Sequence, residues 1–310
     1  MEIKILHNFL VLARMGNMTA AADFLNLTQP TLSRQLAALE EELGARLLER
    51  GGRKLTLTAA GMRLKKRAEE ILELVNKTQC EFRQPENELS GDIYLGSGES
   101  WVLGMIAEVM KKLRELSPHV RFHVFSGDGD EVSERLNNGL LDFGLFIEPA
   151  KVSAYESIRL PGVDTWGALM RKESPLAARE SITPEDLWQE PIIISKQSFM
   201  EWHISKWMRR DFSELNIAAT YNLLYNASIM VRKGLGIALG LDRLINVSND
   251  PEICFRPCNP ALPVALYFAW RKQNLFSPAA QAFLNMVRNR FSGAPAPAPS
   301  PAEASGDSAP

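Results

Sequence analysis

The chain has 310 residues, of which 45% are hydrophobic and 23% charged, so it is long enough for two or three globular domains. We find no apolar run of membrane-spanning length and no signal peptide, and therefore expect a cytoplasmic protein. The net charge of -2 hides an asymmetry. Residues 1–67 contain 11 Lys and Arg against 6 Asp and Glu, a net of +5, and the remainder is at -7. A basic N-terminal segment on an acidic body fits nucleic-acid binding confined to one end.

The three cysteines form an odd, sparse set, which indicates reduced thiols in a reducing compartment: Cys80, Cys254 and Cys258. The spacing of the last two would allow a disulfide or a metal site. Because no His or further Cys lies near them, we expect structural or incidental thiols. His119, His123 and His203 are spread along the chain, so we predict no metal and no cofactor.

Residues 3–14 predict a first amphipathic helix, and the stretch from Thr19 to Leu43 predicts two more helices joined by a tight turn. Asn17 suits the N-cap of the earlier of these two. Thr28 suits the N-cap of the later one, and Pro30 falls in its first turn, where a missing N–H costs nothing. Spacings of 4, 3 and 4 give the later helix an apolar stripe of Leu32, Leu36, Leu39 and Leu43.

The opposite face of that later helix begins with polar residues, namely Gln29, Thr31, Ser33 and Arg34. Gln can bond an adenine in two places and Arg a guanine in two places, whereas Thr and Pro can contact a thymine methyl. Ser suits a phosphate. The alternative is a pair of amphipathic core helices with a polar outer face, and periodicity alone favours that alternative.

About sixty N-terminal residues resemble, in register, the DNA-binding domain of LysR-type transcriptional regulators. The matching positions are Phe9, Ala21-Ala22, Leu25, Gln29-Pro30, Leu32-Ser33, Leu39-Glu40, Leu43-Gly44, Glu49-Arg50, Leu57-Thr58 and Gly61. Asn17-Met18 and Leu48 depart from the family's usual Ser-Phe and Phe, at cap and core positions. The resemblance implies a winged helix-turn-helix domain over residues 1–58. The DNA-binding residues would be Thr28, Gln29, Pro30, Thr31, Ser33, Arg34, Arg50, Arg53 and Lys54.

Leu and Thr alternate around the Gly51-Gly52 turn, which predicts a short β-hairpin, the wing. Arg50, Arg53 and Lys54 at its tip could enter a minor groove or hold phosphates. The alternative is a solvated basic turn. Because the turn follows the recognition helix, we favour the DNA role.

Thr58 can cap a long helix over residues 59–84, about 38 Å in length. Its apolar positions recur at heptad spacing: Leu64, Ala68, Ile71, Val75, Thr78 and Phe82. A lone helix of this length cannot bury its own stripe, so it needs a partner. The resemblance implies a linker helix that dimerises through Leu64, Ala68, Ile71, Val75 and Phe82. The alternative is a helix packed on its own domain.

From Gly91 onward the pattern alternates between strands and helices, which implies a parallel sheet covered by helices. We predict strands at 92–96, 120–125, 141–147, 167–170, 192–195, 218–221, 237–241 and 266–270. Helices are predicted at 101–116, 130–138, 184–188, 199–211, 227–233 and 277–290. The pattern is similar to the two-subdomain, periplasmic-binding-protein-like region that binds effectors in LysR-type regulators. By that analogy the effector-binding domain is 91–292, with subdomain I about 91–161 and 265–292 and subdomain II about 162–264. The Pro/Ala/Ser-rich residues 293–310 predict a disordered tail.

The turn after residue 95 joins a strand to a helix, and free amides there would favour an anion. Trp101 replaces the third Gly of a dinucleotide fingerprint, and Leu95 replaces the first Gly of a nucleophile elbow, so we expect no enzyme. The resemblance places the effector in the cleft between subdomains. The candidate contacts, each of which could instead be an ordinary turn or cap residue, are Ser97, Gly98, Ser100, Ser126, Ser195, Lys196, Gln197 and Tyr225. Glu99 is an unfavourable neighbour for an anion, unless it points outward or the ligand carries a donor or a positive group.

These patterns together predict an α+β multi-domain protein: a winged helix-turn-helix, a long linker helix and two α/β subdomains. The function they indicate is that of a LysR-type transcriptional regulator. It would bind promoter DNA as a dimer or tetramer and respond to a small-molecule effector, for which an anion is one candidate. The alternative is a cytoplasmic small-molecule-binding or enzymatic α/β protein with an accessory helical domain.

Overall fold

The computed structural model describes residues 1–49, 55–82, 89–148, 152–196 and 200–291, without the side chains of residues 81 and 200–203. The chain divides into two compact units, Met1–Gln84 and Pro85–Pro310. Among the helices of these described residues, none combines the length and apolarity that crossing a membrane requires. The tail that we predicted as disordered lies outside the described residues.

The first unit is a helical bundle with a small hairpin. Its elements are α1 (Ile3–Met15), α2 (Met18–Phe24), α3 (Gln29–Leu43), β1 (Leu48–Glu49), β2 (Thr56–Leu57) and α4 (Ala59–Phe82). The predicted caps are present, since Asn17 accepts from the Ala20 amide at 3.0 Å and Thr28 from the Thr31 amide at 3.4 Å. Gly44 ends α3 in the left-handed region at φ +61°, a conformation that glycine adopts at little cost.

The core of this unit joins α1, α2 and α3 to the hairpin. Its buried members are Phe9, Leu12, Ala21, Ala22, Leu32, Leu36, Leu39, Leu47 and Leu48. Leu43, the last member of the predicted stripe on α3, is 41% exposed and lies outside this core. Glu40 accepts from the amides of Leu47 and Leu48, at 2.7 and 3.2 Å, and so fastens the hairpin to α3.

The second unit alternates strands and helices. Its elements are β3 (Gly91–Ser97), α5 (Leu103–Leu116), β4 (Val120–Ser126), α6 (Gly129–Asn137), β5 (Phe143–Ile147), β6 (Tyr155–Arg171), α7 (Pro184–Leu187), β7 (Ile192–Ser195), α8 (Met200–Met208), β8 (Ile217–Tyr221), α9 (Leu224–Arg232), β9 (Ile237–Leu241), β10 (Ile253–Pro257), β11 (Pro263–Arg271) and α10 (Pro278–Phe291). Short 3-10 turns occupy Val152–Ala154, Pro175–Ala178 and Phe212–Glu214.

The strands form one path in the order β4-β3-β5-β11-β6-β9-β7-β8, with β10 added on β6. We name the part around β3, β4 and β5 the first lobe, and the part around β7, β8 and β9 the second lobe. Strands within each of these trios pair in parallel. The parallel pairing that the order of strands and helices implied is thus present, whereas β6 and β11 pair antiparallel with each other and with their neighbours. The reason is that the chain leaves the first lobe along β6 and returns along β11.

Strand β6 is longer than the predicted strand at 167–170. It spans 17 residues and includes Pro161 and Gly162. A Cβ at residue 162 would lie 2.7 Å from Val102 Cγ2, so this strand requires glycine where it passes the first lobe. The first part of β6 pairs with β11, and its last part pairs with β9 and β10. It therefore connects the two lobes.

Candidate functional site

The N-terminal end of α3 presents the predicted base-reading residues on its outer face. Gln29, Pro30 and Arg34 are exposed, whereas Thr31 and Ser33 are half-buried. The Arg34 side chain donates from Nε to the Pro30 carbonyl at 3.4 Å, which holds it along this first turn. Thr28 differs from the others because its hydroxyl oxygen caps α3 and lies 2.8 Å from the Thr31 hydroxyl. Its first role is therefore to start the helix.

A buried amide on α1, which the sequence analysis missed, supports α3. Asn8 is buried and donates from Nδ2 to Gln35 Oε1 at 2.8 Å. The sequence signal was an Asn inside the apolar stripe of the first helix. This bond adds a polar contact between α1 and α3 to the buried leucines that set which face of α3 is outward.

The wing is built from the antiparallel pairs Leu48↔Leu57 and Glu49↔Thr56. Arg50, Arg53 and Lys54, the predicted tip residues, lie outside the described residues.

The predicted dimerisation seam on α4 divides into two parts. Leu64 packs against the core of the first unit, and Ala68 has no exposed surface, so the single chain already covers both positions. Ile71 and Val75 are half-buried, and Phe82 is 87% exposed. The apolar surface of α4 that the single chain leaves partly or fully exposed in this seam therefore lies in the later part of the helix.

The first lobe brings together four of the predicted effector residues. Ser97 ends β3 and pairs in register with Ser126 at the end of β4. Ser97 is buried and donates from Oγ to the Gly98 carbonyl at 2.6 Å, whereas Ser126 is exposed. Gly98 faces Ile147, since a Cβ there would lie 3.0 Å from its Cδ1. Ser100 is buried and accepts from the Val102 amide at 3.0 Å, which starts the turn into α5.

Glu99 does not point outward; it reaches the second lobe. Its Oε2 accepts from the Leu224 amide at 2.5 Å, at the first residue of α9. The N-cap of that helix is Leu223, which has no capping side chain, so Glu99 supplies the anion that the helix N-terminus favours. Burial, with a smaller contribution from the Glu99 charge, raises the pKa of the Tyr221 hydroxyl. Tyr225, a predicted cleft residue, is 65% exposed on the first turn of α9.

Lys196 makes the reverse connection, from the second lobe to the first. It follows β7, whose last residue, Ser195, is buried. The Lys196 ammonium lies 3.8 Å from Asp128 Oδ2 and 3.8 Å from Glu131 Oε1. Asp128 is the N-cap of α6 and forms a capping box with Glu131. Gln197, the next predicted residue, lies outside the described residues.

Asp164 is a buried carboxylate that the sequence analysis missed. It lies in β6 and has no exposed surface. Within the described part of the chain, neither carboxylate oxygen has a partner at ordinary hydrogen-bond geometry. Burial raises the pKa of Asp164 to about 6, with Asp242 adding to the shift, while the nearby Ser100 hydroxyl and Arg243 oppose it. The sequence carried no distinct signal, because β6 also carries Glu156, Arg159 and Arg171.

The cysteines and histidines gather nowhere in the described residues. Cys254 and Cys258 are buried, and burial raises the pKa of the Cys258 thiol to about 12, so that thiol stays protonated. His119 and His123 are exposed, and the side chain of His203 is not described. Over the described part, no group of three or more His, Cys, Asp or Glu could hold a metal ion.

A helix-turn-helix unit with a hairpin, followed along the chain by a two-lobed α/β unit, defines a ligand-responsive transcriptional regulator. Residues 3–62 match the family of bacterial regulatory helix-turn-helix proteins of the lysR type, and residues 86–292 match the LysR substrate binding domain. The chain belongs to the LysR family of DNA-binding transcriptional regulators. Membership of this family confirms the expectation of a regulator and excludes the enzymatic alternative.

Similar proteins cover nearly the whole chain. The regulator YvbU of Bacillus subtilis is 27% identical over 295 residues, which is 94% of this chain and 99% of YvbU. The Hca operon transcriptional activator HcaR of Escherichia coli is 27% identical over 300 residues, 96% of this chain and 100% of HcaR. Among solved structures, the LysR family regulator CbnR superposes with a TM-score of 0.72 at 20% identity, covering 94% of this chain and 99% of CbnR. The structure of full-length CbnR in complex with its target DNA superposes with a TM-score of 0.71 at 21% identity, covering 93% of this chain and 99% of CbnR.

Proposed function

We propose that this regulator reads promoter DNA with the outer face of α3, pairs with further copies of itself through the later part of α4, and responds to a small molecule between its two lobes. It would act in the cytoplasm. The observation that carries the DNA assignment is the arrangement of α3. Its stripe of Leu32, Leu36 and Leu39 is buried, while Gln29 and Arg34 are exposed on the other side.

The chemistry of those exposed side chains fits the major groove. Gln29 offers both a donor and an acceptor, and Arg34 offers a planar fork of donors, the arrangements that suit adenine and guanine edges. Ser33 and Thr31 would contact phosphate or a thymine methyl, and Pro30 adds apolar surface. Arg50, Arg53 and Lys54 of the wing would bind phosphates or enter the minor groove. CbnR, which shares the fold, was crystallised with its target DNA, and that supports a DNA role for the same unit here.

The proposed effector site lies where the carboxyl ends of the parallel strands approach the facing lobe. Ser97, Gly98, Ser100 and Ser126 would contribute from the first lobe. The second-lobe residues would be Ser195, Lys196, Gln197 and Tyr225. Glu99 and Lys196 hold the lobes together across this cleft. A ligand that binds one lobe arrangement better than the other would shift the balance between them.

An anionic effector would meet competition at both ends of the cleft. It would have to displace Glu99 from the Leu224 amide, or share Lys196 with Asp128 and Glu131.

The proposed DNA contacts are tested by fluorescence anisotropy with labelled DNA from upstream of the chain's own coding region. Gln29→Ala and Arg34→Ala should each cost about 1–3 kcal/mol on the specific site and relax specificity there. Arg114→Ala, which removes the same charge from an exposed position on α5, is the matched control and should bind like the unaltered protein. Unchanged specific binding by Arg34→Ala would show that α3 does not read bases as proposed.

A further inference from the structure

One carboxylate lies where parts of both lobes meet. Asp164 pairs with Val264 of β11, and two residues later β6 begins to pair with β9 through Trp166↔Leu241. Ser100, from the turn after β3, approaches the carboxylate from the first lobe. Asp242 and Arg243, which follow β9, approach it from the second lobe. The burial of this carboxylate therefore depends on how the lobes are arranged.

The neighbouring charged groups are already committed to other partners. Arg243 lies with Nε 3.2 Å from Asp242 Oδ2, and its guanidinium stacks 4.7 Å from the centre of the Trp101 ring. Asp242 also accepts from the Thr165 amide at 3.0 Å. The Ser100 hydroxyl oxygen accepts from the Val102 amide, which leaves its proton able to face the carboxylate as a single neutral donor. Among the described residues, the charged groups that act on Asp164 are thus Asp242 and Arg243, and these two form an ion pair with each other.

An ionised carboxylate that is buried with no more than one neutral hydroxyl nearby is unfavourable, so it either takes up a proton or regains water. Here water can return if the lobes separate at the junction, because each lobe contributes one side of the enclosure. We propose that protonation of Asp164 controls closure of the two lobes: the neutral carboxyl favours the enclosed arrangement, and the ionised carboxylate favours one in which water reaches the junction.

The size of this effect follows from the two protonation equilibria. The enclosed carboxyl has a pKa raised by burial to about 6, and a hydrated one would have the ordinary value of 3.8. Between pH 5 and pH 8 the population of the hydrated arrangement, relative to the enclosed one, should therefore rise about tenfold. The regulatory role of closure rests on the proposed function, because it assumes an effector in the cleft. Closure itself needs neither DNA nor effector.

Hydrogen exchange measured by mass spectrometry on the full chain, without DNA or effector, tests the proposal. After correction for the intrinsic effect of pH, peptides covering residues 98–104, 160–167 and 240–245 should exchange about tenfold faster at pH 8 than at pH 5. Asp164→Asn should stay protected at both pH values. Ser100→Ala removes the hydroxyl that favours the charged form, so it should move the response to higher pH.

The matched control is Asp92→Asn, which neutralises a buried carboxylate that has partners. Asp92 accepts from Arg121 at 2.8 and 3.0 Å and lies 2.9 Å from His123 Nε2. This variant should keep the pH response of the three peptides. Equal corrected protection of the unaltered protein at both pH values would overturn the proposal, as would a pH response that survives in Asp164→Asn. A failure to bind DNA would count against the proposed function and leave this measurement unaffected.

Discussion

Replacing Asp164 by Asn should stabilise the protein at neutral pH, against the usual effect of a buried substitution. Among the described residues neither oxygen of this buried carboxylate has a partner at ordinary hydrogen-bond geometry, and burial, opposed by the nearby Ser100 hydroxyl, raises its pKa from 3.8 to about 6. A folded pKa above the unfolded value means that folding favours the protonated form. The stability contributed by this group is therefore complete below pH 3.8 and is lost as pH rises through about 6.

The magnitude follows from the difference between these two pKa values. A shift of about 2.2 units corresponds to about 3 kcal/mol at pH 8, and at pH 4 the same equilibria give only about 0.5 kcal/mol. Asp164→Asn should thus raise the free energy of unfolding by up to about 3 kcal/mol at pH 8 and by little at pH 4. Urea unfolding of the full chain, followed by tryptophan fluorescence at both pH values, measures the difference.

Asp92→Asn should change the free energy of unfolding in the opposite direction in the same assay. Although burial opposes it, hydrogen bonds and charge from Arg121 and His123 lower the pKa of Asp92. The stability that Asp92 contributes to the fold is present above its unfolded pKa and is lost as pH falls. Asp92→Asn should therefore destabilise the protein at pH 8. If Asp164→Asn also destabilises at pH 8, the ionised carboxylate has a donor in solution, and the argument for an unpaired charge fails.

Three further substitutions test the other proposed contacts. Ile71→Asp should dissociate the oligomer in sedimentation analysis, because it places a charge in the apolar seam of α4, whereas Asn76→Asp on an exposed position should not. If both variants sediment like the unaltered protein, the oligomer seam lies elsewhere. Glu99→Gln should speed hydrogen exchange at the start of α9, since a neutral amide is a weaker acceptor, and unchanged exchange would refute the capping role. Lys196→Ala should still bind operator DNA in a gel shift. Loss of DNA binding by a folded Lys196→Ala protein would mean that Lys196 acts in assembly of the oligomer and not in sensing.

The first unit could be predicted closely because its determinants are local. The caps Asn17 and Thr28 act within three residues, and the apolar stripe of α3 repeats within four. The later strands were harder. Pro161 and Gly162 interrupt the pattern that would have marked the start of β6, and β10 was not predicted at all. The antiparallel course of β6 and β11 depends on pairing between residues about a hundred positions apart, which no local pattern encodes.

The same distinction separates the two candidate sites. The outer face of α3 follows directly from the position of its apolar stripe. In the cleft, the sequence located the strand ends but did not reveal what Glu99 contacts, because its partner, Leu224, lies 125 residues away. Asp164 was missed for a related reason, since an Asp in a strand that also carries Glu156 and Arg159 gives no sign of whether a partner reaches it.

The contacts between the lobes also constrain how an effector could act. Glu99 leaves the first lobe to cap a helix of the second, and Lys196 leaves the second lobe to meet two carboxylates of the first. A ligand that displaces Glu99 must replace a hydrogen bond to a charged group, worth roughly 1.5–3 kcal/mol, which corresponds to about a ten- to hundredfold loss of affinity if nothing compensates. Displacing Lys196 should cost less, since its ammonium is half exposed and stands 3.8 Å from both carboxylates. A ligand that enters beside Lys196 and leaves Glu99 in place would therefore bind the closed arrangement at the lower cost, whereas one that removes Glu99 would favour the open arrangement.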